Sequence, residues 1–163
     1  MPLCLNRTHV KEIDKEITTL INSDEKLAEL SSYIKSVDGI GIITTAEVLI
    51  TTNEFENFDD AKKLACHCGV VPFKNESGIS IKGKAKVSHK ANKKMKRLLH
   101  LAALSAIKVQ GEFNQYYKRK IAEGKHVMSV LNAIRNKLVL RIFACVKNKR
   151  YYEKNYQYSL VKP

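Results

Sequence analysis

Ser77 lies in the most basic stretch of the chain, Lys74 to Arg97, where 9 Lys/Arg accompany a single acid, Glu76. A serine hydroxyl is a weak nucleophile. Cations that align a phosphodiester and stabilise the charge developing on it make phosphoryl transfer to such a hydroxyl feasible. Here a Gly-bearing segment, Glu76-Ser77-Gly78-Ile79-Ser80, is followed by Lys82, Lys84 and Lys86, and then by Lys90, Lys93, Lys94, Lys96 and Arg97 on a helical pattern. Loop and helix together can approach one phosphate from two sides. On residue types alone a Ser-Gly pair is far more often a turn, and a lysine run is usually a solvated surface. The stretch therefore reads first as a polyanion-binding surface and only second as a catalytic centre.

Two other constellations carry potential chemistry. Val37-Asp38-Gly39-Ile40-Gly41 stands between two helical patterns, with Ala46 available for close packing, and matches the helix-hairpin-helix pattern. Glycines let such a turn bend sharply, and the amides at Gly39, Ile40, Gly41 and the following helix start can bind a phosphate without reading base sequence. An ordinary turn between helices is the alternative, and the Asp38 carboxylate favours it. Cys66-His67-Cys68 suggests a metal, but a closed zinc site needs four ligands that adjacent residues rarely supply together. His9, His89, His100 or Cys145 would have to complete it, so small buried thiols at a helix end are expected, with no metal. The basic half has no carboxylate cluster suited to two-metal catalysis and no G-x-x-x-x-G-K-[ST] loop. Tyr151, Tyr152, Tyr156 and Tyr158 near the end of the chain read as packing or stacking rings.

The elements that must position these groups are mostly helical. Thr8 can cap a helix to about Asn22 along Val10, Ile13, Ile17, Leu20 and Ile21. Ser23 or Asp24 opens a second segment through Leu27, Leu30 and Ile34, so residues 8–36 form one interrupted helix or two in series. Further helices are predicted over 42–51, from Asp59 or Asp60 to near Gly69, over 89–109, over 112–122 and over 127–147. The last should be the central core helix. Residues 74–88 read as an exposed loop or a short ribbon. The fold class is thus mainly α, a multi-helix domain with a helix-hairpin-helix element and a basic loop or ribbon before the central helices.

Composition narrows the class further. The 163 residues are 44% hydrophobic and 28% charged with 7 Gly and 3 Pro, which fits one folded domain and excludes collagen-like or wholly disordered chains. No apolar run approaches the roughly 20 residues that cross a bilayer, and the first residues lack the pattern of a secretory signal. A soluble cytoplasmic protein with reduced thiols and no membrane partner is expected. The net charge of +13 is unevenly spread: residues 1–73 hold 7 Lys/Arg against 12 Asp/Glu, and residues 74–163 hold 22 against 4. A chain that holds polyphosphate on one face needs such a division, and nucleic acid is the leading partner.

Taken in order, several stretches resemble one family: Val37-Asp38-Gly39-Ile40-Gly41 with Thr44, Thr45 and Ala46; Gly69-Val70-Val71-Pro72; Ser77-Gly78; and Lys90-Ala91-Asn92, followed by Lys96-Arg97-Leu98-Leu99 and Ala102-Ala103. Phe113 with Tyr116, Gly124-Lys125 and Lys137-Leu138 continue the likeness. The chain resembles the C-terminal domain of the insertion-sequence 110/116/902 transposases, relatives of the Piv and MooV DNA invertases, over about residues 34–152. The resemblance implies that Ser77, with Ser80 as fallback, attacks a DNA phosphate to form a phosphoserine linkage. It further implies partnership with DNA and a structured guide RNA, and self-association through residues 8–36 as the remnant of an interdomain helix. Residues 37–152 would be the transposase domain and 153–163 a basic, tyrosine-containing tail. Mg²⁺ would belong to a RuvC-like domain that this sequence lacks. The chain would then be a fragment of a longer transposase or the product of a decayed element, inactive alone; a non-catalytic helix-hairpin-helix binding module and an oligomerisation domain are the alternatives. Ala91 and Lys96 stand where the family usually has Gly and Arg, which keeps the charge at position 96 but loses the guanidinium fork.

Overall fold

The computed structural model describes residues 2–71, 73–77, 81–86 and 91–154, with side chains over 8–71 and 91–154. Seven helices and one two-stranded ribbon follow each other in these residues: α1 Pro2–Ser23, α2 Glu25–Ser36, α3 Ile42–Thr52, α4 Ala61–His67, β1 Phe73–Ser77, β2 Ile81–Lys86, α5 Lys93–Ala106, α6 Glu112–Ala122 and α7 Val127–Lys147. The mainly helical class is as expected, and the basic segment takes the ribbon rather than the loop. Among the described residues no helix is long and apolar enough to cross a membrane.

Local chemistry explains most boundaries. Asp24 breaks the first helical stretch in two, because its carboxylate accepts the Leu27 amide at 2.9 Å and caps α2. Asp60 caps α4 in the same way through the Lys62 amide. Two expected starts move. Thr8 lies inside α1 rather than capping it, since nothing between Pro2 and Thr8 breaks a helix and proline is tolerated in a first turn. The helix expected from His89 begins at Lys93, where Asn92 Oδ1 accepts the Met95 amide at 3.0 Å and caps it.

The core forms around α7, as its apolar stripe predicts. Val130, Leu131, Ile134, Leu138, Val139 and Ile142 are buried against α2, α4, α5 and α6. Complete burial of each such side chain is worth about 1.5–3 kcal/mol. Helix α2 belongs to the same core through Ile34, whereas α1 contributes Ile21 and leaves Val10, Ile13 and Leu20 more than half exposed.

The ribbon leaves this body after α4 and rejoins it before α5. Its strands are antiparallel, with Ser77 in register with Ile81, Glu76 with Lys82, Asn75 with Gly83 and Phe73 with Lys86. Both ends are tied to helices: the Asn92 amide donates to His67 O at 2.9 Å, and Asn132 Nδ2 of α7 donates to Val70 O at 2.9 Å. At the other end of the chain, the Tyr152 amide donates to Ser36 Oγ at 2.9 Å and the Tyr152 ring stacks on Phe113, which docks residues 150–154 against α2 and α6.

Candidate nucleic-acid interface

Helix α5 carries the basic cluster in its first two turns. Lys93, Lys94 and Arg97 are exposed and Lys96 is half-buried. Cations at a helix N-terminus oppose the positive end of the helix dipole, so their presence there costs stability unless an anion compensates them. One is compensated internally: Lys94 Nζ lies 2.6 Å from Glu47 Oε2, a carboxylate of α3 that is 9% exposed. Lys93, Lys96 and Arg97 have no acidic partner among the described residues. Lys93 and Arg97 make a positive, solvent-facing patch on the first turns of α5, with Lys96 half-buried in the same segment.

The glycine turn joins α2 to α3, but its members face different ways. Gly39 has φ +85°, and a Cβ built on it would lie 2.4 Å from Ala102 O and 2.7 Å from the Ala106 amide nitrogen of α5. Its lack of a side chain is therefore required by backbone packing inside the protein. Ile40 is in the core. Gly41 alone of the three is exposed; it precedes α3 without a side-chain cap, leaving first-turn amides open to an external anion. Asp38 is paired with Lys154 at 3.3 Å, which offsets the carboxylate that would repel phosphate.

The turn and the basic cluster are not adjacent. Gly39 packs on Ala102 and Ala106, 9 and 13 residues beyond Lys93, which corresponds to about 14–20 Å along α5. At about 100° per residue Ala102 and Ala106 lie about 180–220° around α5 from Lys93, so the turn packs on the face opposite Lys93 and Arg97.

Ser77 is the last residue of β1, opposite Ile81, while Lys82, Lys84 and Lys86 take alternate positions on β2. Ser80 and Lys90 lie outside the described residues. In Cys66-His67-Cys68 the three side chains have separate environments. Cys68 is fully buried, which pushes its thiol up to about 12. The His67 ring packs on Phe58 with centroids 5.4 Å apart, and Cys66 is half-buried. Among the described residues no group of three or more His, Cys, Asp or Glu is placed to hold a metal ion.

One polar centre was not anticipated from the sequence. Glu112 of α6 accepts from Arg141 Nη2 at 2.8 Å and Nε at 3.1 Å, and from the Tyr152 hydroxyl at 3.3 Å, with Lys137 Nζ at 3.5 Å. Burial alone would raise its carboxyl, but the Arg141 fork, aided by Lys137 and Tyr152, holds it below the ordinary range. The available signal was that Glu112 is one of only 4 acids after residue 73, surrounded by 22 Lys/Arg.

Comparison with known proteins adds the relationship that geometry cannot supply. The sequence profile described as Transposase IS116/IS110/IS902 family matches residues 31–118. The chain is 27% identical over 146 residues to the pilin gene-inverting protein of Moraxella bovis, covering 89% of this chain and 45% of that protein. It is 29% identical over 152 residues to the 43.6 kDa protein of insertion element IS110 from Streptomyces coelicolor, covering 93% of this chain and 37% of the relative. The corresponding 44.8 kDa protein of IS116 from Streptomyces clavuligerus is 27% identical over 144 residues. The chain spans less than half the length of each of these relatives. With the profile covering more than half of its residues, from the helix before the glycine turn to the middle of α6, the chain belongs to the transposase IS116/IS110/IS902 family.

Proposed function

We propose that the chain is the DNA-binding part of a transposase-type recombinase and that Ser77 is the nucleophile. Lys93, Lys96 and Arg97 at the start of α5, without an acidic partner among the described residues, carry the binding reading, because the helix dipole disfavours cations there and an external polyanion would offset that cost. The α5 cluster and the exposed Gly41 end of α3 would each contact backbone phosphate. Neither contact reads bases, so the interaction positions DNA and leaves sequence choice to other parts of the assembly.

In the reaction, Ser77 Oγ attacks the phosphorus of one phosphodiester. The Oγ–P bond forms as the bond to the departing strand oxygen breaks, the hydroxyl proton passes to a base, and the departing oxygen is protonated. Attack by a strand hydroxyl on the phosphoserine reverses these roles and rejoins DNA. The Lys-rich ribbon and α5 would stabilise the phosphate as charge develops on it. The serine role and the help of a Mg²⁺-binding RuvC-like domain rest on the family resemblance; the described residues here offer no acidic cluster for the metal. A structured RNA is a further partner on the same ground.

Self-association is part of the proposal. Val10, Ile13, Ile17 and Leu20 alternate by three and four residues on α1, the spacing of a helix-pairing seam, and three of the four are more than half exposed. Sedimentation should show a dimer that Ile13→Lys with Leu20→Lys converts to monomer.

The catalytic claim is tested in the full reading frame with Mg²⁺, RNA and duplex carrying the element's ends. A covalent DNA adduct on the Ser77 peptide, abolished in Ser77→Ala, is the expected result. An equal adduct in Ser77→Ala removes Ser77 from the chemistry, directs attention to Ser80 and leaves residues 74–97 as a binding surface.

A further inference from the structure

A second positive surface lies away from the α5 cluster and shares no residue with it. Helices α6 and α7 and residues 150–154 enclose a groove of about 870 Å³. Its lining includes the cations Arg119, Lys137, Arg141, Arg150 and Lys154 against the acids Glu112 and Glu153, with Arg119 also 3.9 Å from Glu123 and Lys154 3.3 Å from Asp38. The cations are arranged rather than scattered. Lys137 Nζ sits 4.9 Å from the centre of the Tyr116 ring and Arg119 Cζ 5.7 Å from it, while Arg141 is held by Glu112. Tyr151 forms part of the wall with 61% of its surface exposed, its ring tilted against Tyr33 at 5.4 Å.

Fixed cations beside an exposed aromatic ring meet the two requirements of a strand with unpaired bases: phosphate neutralisation and a surface on which a base can stack. A duplex satisfies only the first, because its bases are already stacked on each other, and a groove of this size admits a few nucleotides rather than a double helix. An acidic peptide would use the charge but not the exposed surface of the Tyr151 ring. We propose that the groove between α6, α7 and residues 150–154 binds single-stranded polynucleotide, with a base on Tyr151 and the flanking phosphates on the Arg119, Lys137 and Arg150 side. This inference rests on the nucleic-acid reading above and extends it to a second site of different strand preference.

The test measures fluorescence anisotropy of the chain with labelled (dT)12, U12 and a 12-base-pair duplex, across a salt series. Tyr151→Ala with Arg119→Ala should weaken single-strand binding roughly 10-fold or more while duplex affinity changes less than about twofold. Tyr151→Phe, which keeps the ring, should bind as wild type. The triple variant Lys93→Ala, Lys96→Ala and Arg97→Ala should show the opposite pattern, losing duplex first. Tighter binding of (dT)12 or of U12 by the same groove identifies DNA or RNA as the strand, and either supports the site. Unchanged single-strand affinity in the groove variant, with unaltered circular dichroism, overturns the proposal. So does an equal loss for strand and duplex. Absence of any nucleic-acid binding by the wild-type chain instead overturns the broader reading, which separates the two failures.

Discussion

Gly39→Ala tests whether the glycine turn is shaped by internal packing or by an external phosphate. The added Cβ meets two backbone atoms, Ala102 O at 2.4 Å and the Ala106 nitrogen at 2.7 Å, and also the Ala106 Cβ at 2.8 Å. None is the tip of a flexible side chain, so α5 or the turn must move by about 1 Å for the contact to become ordinary, an overpacking penalty of about 1–3 kcal/mol. The φ of +85° adds about 1–2 kcal/mol for a residue with a Cβ. The total of about 2–5 kcal/mol corresponds to a fall in Tm of roughly 5–15 °C for a chain of this size. Gly41→Ala is the matched control, because its φ is −100° and no atom lies within 4 Å of the new Cβ. It should cost about 1 kcal/mol or less, the preference for glycine over alanine at a helix cap. Thermal and urea unfolding followed by circular dichroism at 222 nm measure both. A Gly39→Ala protein that melts within about 2 °C of wild type, or melts above Gly41→Ala, would refute the packing argument. At temperatures where it remains folded, Gly39→Ala should bind duplex as tightly as wild type.

Other perturbations address charge. Removing Lys93, Lys96 and Arg97 together should reduce the dependence of log K on log salt for duplex binding by about 2.7, at 0.9 for each phosphate contact, and a slope unchanged from wild type would exclude these residues from the interface. Lys94→Ala should destabilise the fold by about 1–3 kcal/mol, because it leaves the buried Glu47 carboxylate without its cation, whereas Lys93→Ala should stay within about 0.5 kcal/mol; equal urea midpoints for the two would contradict this. Glu112 has its folded pKa below the ordinary value near 4.5, so its contribution to stability is complete above that value and is lost as pH falls through the lower, folded one. Glu112→Gln should therefore lower the urea midpoint at pH 7 and flatten its decline below about pH 4. Leu138→Ala, at a fully buried site on α7, should cost about 2–5 kcal/mol in the same assay.

The helices were legible because their information is local. The stripe from Val127 to Val146 specifies α7, and its length and apolar density require that it be central. Asp24 and Asp60 mark helix starts through a hydrogen bond made within three residues, and the Glu112 to Ala122 helix follows its own periodicity, whereas the cap at Asn92 set the start of α5 later than the expected His89. The basic cluster was equally visible, since charge is a property of composition along the chain. Position relative to other elements was not. Lys94 and Lys93 are neighbours of the same type, and only the approach of Glu47, 47 residues earlier, makes the first structural and leaves the second open to solvent.

Read along one dimension, the chain is mainly helical, acidic in its first half and basic in its second, with a serine in its most basic stretch and a glycine turn between two helices. Tertiary structure decided that Gly39 serves the contact with α5, that Gly41 is the exposed member of the turn, and that the turn and the basic cluster stand apart along one helix. It also assembled the groove around Glu112, Arg141 and Tyr152, whose residues lie up to 40 positions apart. Periodicity and capping act over a few residues and can be read in one dimension; which backbone meets Gly39 and which carboxylate neutralises a lysine depend on how helices cross, and that emerges only when the core packs.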